Sequence, residues 1–317
     1  MKIHIPNSAF LGNIDPFIRS FDPSDPESLS ITLNPHWTSV HPVVLSMIAA
    51  VGLNVDPKKI TIDKLEAKSS AYLVRMGLLR MLNISCDTIV QERAAEGRFI
   101  PLRQVRTSDE LVEFITEMIP LLHTDPEHAK TISYIVSELG RNVLEHAMSP
   151  NGAILCAQYY KKSNTIRLGI ADTGYGIKKT ITQSHVAKTD LDAIRLALWP
   201  GITGTTSRPG GTAQNAGAGL FFVKAIASLN KDFFVLYSGN GFYKLLIKKS
   251  KKIKLYADPF NDRHSKVDKL PYWQGTLVGV DISLNQTREY SELLNAIREM
   301  YFALRKTNKT HKKPRFL

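Results

Sequence analysis

Glu138 and Asn142 stand four residues apart in the run Glu138-Leu139-Gly140-Arg141-Asn142, the spacing that brings two side chains to one face of a helix. A carboxylate beside an amide can hold an attacking water and a hard cation, both of which take oxygen ligands. The same pair would also suit the solvated edge of an amphipathic helix. Asp172 closes an apolar run and is followed by Gly174 and Gly176. An Asp at a strand end can accept a hydrogen bond from an amino group such as adenine N6, and the glycines let the backbone pass close to a ligand. An ordinary strand-to-loop turn uses the same residue types. Gly217 and Gly219 open an apolar helical run, where exposed amides and the helix dipole favour phosphate; a flexible loop ending is the plain alternative. Gly275 and Thr276 open a strand, from which the threonine hydroxyl can support the Asp172 contact through water.

These residues need elements to hold them. A helix is expected from Glu127 to Met148, apolar at Ile132, Ile135, Val136, Leu139, Val143 and Ala147, a helical period with Glu138 and Asn142 at its edge. Ala153 to Tyr160 and Thr165 to Ala171 read as a hairpin. Gly219 to Leu229 reads as a helix; Phe233 to Ser238, Gly241 to Ile247 and Thr276 to Leu284 read as strands. Before them a helix opens at Ser108, with Asp109 and Glu110 in its first turn as the dipole favours. Residues 178–216 carry little regular pattern, and so long a stretch in a compact domain is usually functional or disordered. Residues 1–27 read as an irregular lead-in. Ser28 to Leu33 reads as a strand, Val43 to Leu53 as a buried helix, Lys59 to Ile62 as a strand and Ser69 to Leu82 as a helix. The expectation is an α/β fold in three parts: a small α/β domain over 1–105, the chemistry-bearing domain over 106–285, and a terminal helix, Glu289 to Leu304, with a basic tail over 286–317.

The 317 residues are 43% hydrophobic and 22% charged, which excludes a mostly disordered chain. The longest near-apolar run, Val43 to Leu53, is too short for a bilayer span of about 20 residues. The opening MKIHIPNSAFLG has no apolar signal core, and Cys86 and Cys156 form no metal-ligand pair or disulfide framework, so a cytoplasmic location is expected. The net charge is +12. Part of it lies in Lys248, Lys249, Lys251, Lys252 and Lys254, and part in Arg305, Lys306, Lys309, Lys312, Lys313 and Arg315. Such density can attract a polyanion, although a solvated strand end and tail explain it more simply.

Taken together, the order and spacing of E-x-x-x-N on a helix, D-x-G-x-G after a strand, a long irregular stretch, G-x-G-L opening a helix and a Gly-Thr strand resemble the GHKL ATPases. These carry the Bergerat nucleotide-binding fold of gyrase, MutL, histidine kinases and anti-sigma-factor kinases. The resemblance covers about residues 107–285 and implies a two-layer α/β sandwich that binds ATP with magnesium. Asn142 would bind the metal, and Glu138 would activate the nucleophile. Asp172 would read adenine with Thr276 behind it. Gly174 and Gly176 would shape the adenine side, Gly217 and Gly219 the phosphate side, and residues 178–216 would form a lid. His146 has a counterpart in some anti-sigma kinases; a helix-end histidine favoured by the dipole is the alternative. Asn215 stands where some relatives have a further glycine. No phosphoacceptor histidine helix is evident, which speaks against a sensor kinase.

The strand, Pro-bounded turn, apolar helix, strand and helix of residues 1–105 resemble a STAS domain, the anti-sigma-antagonist fold. Thr38 and Ser39 lie closest to that family's phosphorylated serine, in surroundings, His36-Trp37 and His41-Pro42, that depart from it. The resemblances imply a slow magnesium-dependent ATPase switch; alternatives are a serine/threonine kinase of the anti-sigma type and a non-catalytic nucleotide-sensing scaffold. An adenine nucleotide is the expected ligand. A regulatory protein partner and a homodimer are compatible with the sequence, nucleic acid is less favoured, and no membrane association is expected.

Overall fold

The computed structural model describes residues 1–67, 69, 71–85, 99–121, 126–202, 219–247, 254–284, 295, 297 and 299. The fold is mixed α/β. In chain order it comprises β1 (Lys2–Ile5), β2 (Ser8–Ala9), α1 (Asp15–Arg19), β3 (Leu29–Leu33), β4 (Ser39–Val40), α2 (Pro42–Gly52), β5 (Ile60–Ile62), α3 (Ala71–Arg75) and α4 (Leu78–Met81). Then follow β6 (Phe99–Val105), α5 (Ser108–Leu121), α6 (Pro126–Asn142), β7 (Ala153–Tyr160), β8 (Thr165–Ala171), α7 (Gly176–Ile181) and α8 (Asp190–Ala197). The last are α9 (Gly219–Leu229), β9 (Phe234–Gly239), β10 (Gly241–Leu245), β11 (His264–Val267) and β12 (Trp273–Ser283). No helix among the described residues is long and apolar enough to cross a membrane.

Seven strands form one antiparallel sheet in the order β11-β10-β9-β12-β8-β7-β6, and β1, β3 and β5 form a separate parallel sheet. Side chains alternate across the large sheet, as strand geometry requires. Ala153, Leu155 and Ala157 of β7 join one apolar core with α5, α6, α7, α8 and α9. Ile154 and Cys156, on the same strand, join a second core with α2 and the parallel strands. Both faces are therefore covered, and the strands read as near-continuous apolar runs.

The rear cover is α2, whose eleven residues are all buried, as a helix apolar all round must be. It lies across β7, β8 and β12. Its first turn seats over Gly169 of β8 and Gly279 of β12, which are register partners. A β-carbon at Gly169 would overlap Val43 Cα and N, and one at Gly279 would lie 3.3 Å from Val43 Cβ. Buried His41 caps the helix: Val43 N donates to its Nδ1, so its Nε2 carries the proton to Asp281 Oδ1, 3.1 Å away on β12.

Several expectations change. Residues 1–27 are not irregular: Lys2–Ile5 pairs with β3, because alternation in only four residues is easily hidden by the prolines around it. The helix expected over Ser69 to Leu82 breaks into α3 and α4 at Gly77, whose φ of +78° suits glycine. Residues 1–105 do not fold apart from the sheet: β6 pairs with β7, and the core of residues 1–85 continues into its rear face. Thr38 is buried and its amide bonds Ser69 Oγ, while Ser39 lies in β4 opposite Ser8, so the phosphoacceptor position is not presented as a free loop. Cys156 is a buried free thiol, pushed up to about 12 by burial, which leaves it inert. Cys86, the basic tail, and Lys248, Lys249, Lys251 and Lys252 lie outside the described residues. So does the terminal helix apart from Asn295, Ile297 and Glu299, of which Ile297 is buried in the front core.

Candidate functional site

α6 sets Ile132, Ile135, Val136 and Leu139 against the sheet and leaves Glu138 and Asn142 half-buried at the edge, as their spacing implies. The helix does not end there. Val143–Ala147 continues as a π turn that closes at Met148 in the left-handed conformation (φ +49°). Such turns recur at functional sites. Here the turn carries Val143, His146 and Ala147 to the wall of a cleft. No residue pattern announced it.

The end of the π turn is tied to the Asp172 loop. Tyr175 N donates to Ala147 O at 2.6 Å. Gly174 packs so closely on that carbonyl that a β-carbon would overlap it. Gly174 therefore acts as a spacer behind the wall and does not line the cleft itself. Gln274 Nε2 donates to Gly174 O from the other side.

Asp172, at the end of β8, is 1% exposed. Its Oδ1 accepts from Gly174 N at 2.8 Å, and its own amide donates to Thr276 O on β12 at 2.9 Å. Its Oδ2 is buried with no hydrogen-bond partner among the described residues. Burial pushes the carboxyl up to about 7, against the opposing hydrogen bond from Gly174. Thr276 lines the cleft directly.

Opposite lies the start of α9. A β-carbon on Gly219 would overlap Glu138 Oε2 and stand 3.8 Å from Asn142 Nδ2, so glycine is what lets this helix close on the pair. Asn142 Nδ2 is also buried without a partner among the described residues. Burial raises the Glu138 carboxyl above its usual range; Arg141 pulls it down and Glu145 adds to the rise. Arg141 itself is held by Glu145, Nε to Oε1 at 3.0 Å. Gly219→Ala should push the Glu138 carboxylate toward water and return its titration to the ordinary glutamate range. Carbon-13 NMR of the side-chain carboxyls would follow this; an unmoved midpoint would mean the helix start does not confine Glu138.

The structure thus brings Glu138, Asn142, Asp172, Gly176, Gly219 and Thr276 to one cleft, together with His146. Gly217 lies outside the described residues. The remaining wall was not expected from sequence: Ile177, Thr180 and Ile181 of α7, with Ala197 and Ile202. Residues 178–216 are not irregular throughout, since α7 and α8 bury Ile177, Ile181, Ala193 and Ile194. The missed signal was local. Thr189 and Asp192 form a reciprocal cap at the start of α8, a pattern legible as Thr-x-x-Asp. Residues 203–218 of that stretch lie outside the described residues.

No family model, no curated protein and no solved structure matches the chain.

Proposed function

We propose that this cleft binds an adenine nucleotide and that the chain is a slow magnesium-dependent ATPase switch of the GHKL type. The observation that carries the reading is Asp172 Oδ2. A buried acceptor left unpaired is costly and calls for an explanation; a donor on a ligand, such as an exocyclic amino group of a base, supplies one. The apolar part of the lining fits a flat ring: Val143, Ile170, Ile177 and Val278 line the same cleft as the carboxylate. The long α6, the β7–β8 hairpin, α9 and the Gly275-Thr276 strand follow one another in the GHKL order. The parallel β1-β3-β5 sheet supports the STAS-like reading of residues 1–105, as a layer joined to the nucleotide-binding unit.

Magnesium suits the other end of the cleft. Among the described residues no three His, Cys, Asp or Glu side chains gather to hold a metal, and of the described cleft lining Asn142 is the one amide side chain. That donor set fits magnesium, which keeps several waters and shares phosphate oxygens with one or two protein ligands. When bound it would neutralise phosphate charge. Asn142 would hold it, Asp172 would orient the base, and Glu138 would take the proton from the attacking water. Half-burial raises the Glu138 pKa toward the range in which a base works at neutral pH.

Incubation with γ-labelled ATP and magnesium should release labelled phosphate. Label on the protein, or on a protein in added lysate, would favour the kinase alternative, and neither would leave a nucleotide-sensing scaffold. Glu138→Gln should keep ATP binding and lower turnover by about 10²–10⁴-fold. Asn142→Ala should lose the magnesium dependence of binding. Full hydrolysis in both variants would show that the helix pair is a polar edge.

A further inference from the structure

We propose that Ser238 is the positioning residue of this cleft, holding the adenine-side loop and helix α7 in register with one buried hydroxyl. The inference rests on the nucleotide reading above. Ser238, on β9 and 2% exposed, faces Thr276 in the strand register. Its Oγ donates to Gly275 O at 2.7 Å and accepts from Ile177 N at 2.9 Å. Each partner belongs to a different wall.

Gly275 has φ +103° and lies directly on Asp172: a β-carbon there would overlap Asp172 O and stand 2.7 Å from its Oδ1. The peptide that Ser238 grips is therefore the one that fixes the Asp172 carboxylate from behind. Ile177 opens the helix whose Ile177, Thr180 and Ile181 line the cleft. Between them Gly176, at φ +73°, passes so near that a β-carbon would be 2.9 Å from Ser238 Oγ and 3.2 Å from Gly275 O. Two glycines in the left-handed region thus close around one hydroxyl. The neighbouring turn continues the arrangement. Asp190 Oδ2 accepts from Asn240 N at 3.0 Å, which seats the start of α8 on the β9–β10 turn.

A hydroxyl of this kind does not touch the ligand. Its loss frees Gly275 to move off Asp172 and α7 to move off the cleft, so the acceptor is no longer presented at a fixed place. Misplacement by about 1 Å is enough to degrade a positioned site.

The test measures ADP affinity by calorimetry in the full chain, with three variants. Ser238→Ala should weaken ADP at least tenfold. Ser238→Cys, which keeps a weaker donor and acceptor of similar shape, should recover part of that loss. Tyr243→Phe removes a different buried hydrogen bond, to Pro259 O at 3.0 Å, away from the cleft; it should lower the melting temperature and leave ADP affinity as in the parent. Should Ser238→Ala not fold, the comparison of Ser238→Cys with Tyr243→Phe carries the test. Parent-like affinity in the Ser238 variants, or an equal loss in Tyr243→Phe, would overturn the inference while leaving the nucleotide reading intact. A parent protein that binds no adenine nucleotide would overturn both.

Discussion

Asp172→Asn should raise the melting temperature of the ligand-free protein by several degrees at pH 8 and weaken adenine nucleotides about ten- to a hundredfold. The two effects have one cause. Burial lifts this carboxyl from 3.8 to about 7. Between those values the unfolded chain is ionised and the folded chain still holds its proton, so folding binds a proton and stability falls as pH rises. Above pH 7 the burden is complete. Three pH units at 1.36 kcal/mol each give an upper bound on the order of 4 kcal/mol. Asparagine removes the charge and keeps an oxygen for Gly174 N, but it places an amide donor where Oδ2 was, which returns about 1–3 kcal/mol. The net gain should be present at pH 8 and largely disappear near pH 4, close to the unfolded carboxyl's own pKa, where little of the burden has built up. The same amide faces an adenine amino group with a second donor. Thermal melts at both pH values and ATP titration at pH 8 would check the pair. Unchanged melting at pH 8 would show that the carboxylate is not burdened, and unchanged ATP affinity would remove Asp172 from the site.

Removal of residues 1–98 should yield no folded protein. The rear face of the sheet carries Ile154, Cys156, Val235, Tyr237, Phe242, Trp273 and Leu277, all buried against residues from the N-terminal part. Uncovering so many large side chains exceeds by far the few hundred Å² of contiguous apolar surface that a soluble monomer tolerates, and net stabilities of 5–15 kcal/mol leave little margin. Arg167 adds a second tie: its guanidinium lies 4.3 Å from the Phe10 ring centroid and 4.0 Å from that of Tyr160, and its Nε is 3.4 Å from Asp281. Purified 99–317 fragment with dispersed amide NMR signals and a cooperative melt would show that the two parts are independent.

The contrast between these predictions marks what was legible in the residues. The helix bearing Glu138 and Asn142, the hairpin ending at Asp172 and the helix at Gly219 follow from periodicity and turn chemistry, which act over a few residues. What covers the sheet does not. A strand apolar on both faces reads the same whatever packs on it, so the seating of α2 and the membership of β6 in the large sheet are tertiary facts. The short polar β11 has too few residues to show alternation. The role proposed for Ser238 depends on three segments that meet only in the fold: a lone serine at a strand end carries no local signal.

The two adjacent glycines beneath α2 bear on how the chain reaches its native state. Strands that are apolar on both sides gain nothing from polar contrast to set their pairing, so one-residue slips are weakly opposed by the usual rule. Gly169 and Gly279 supply a substitute: side by side they make the flat place where the first turn of α2 can rest. Shifted by one residue, either strand would present Leu168, Ile170, Val278 or Val280 there instead. The helix thus acts as a template that only the correct pairing accepts. It is made about a hundred residues before β7 and β8 and more than two hundred before β12, so during synthesis the template is available when those strands emerge, and it can select among their registers as they form.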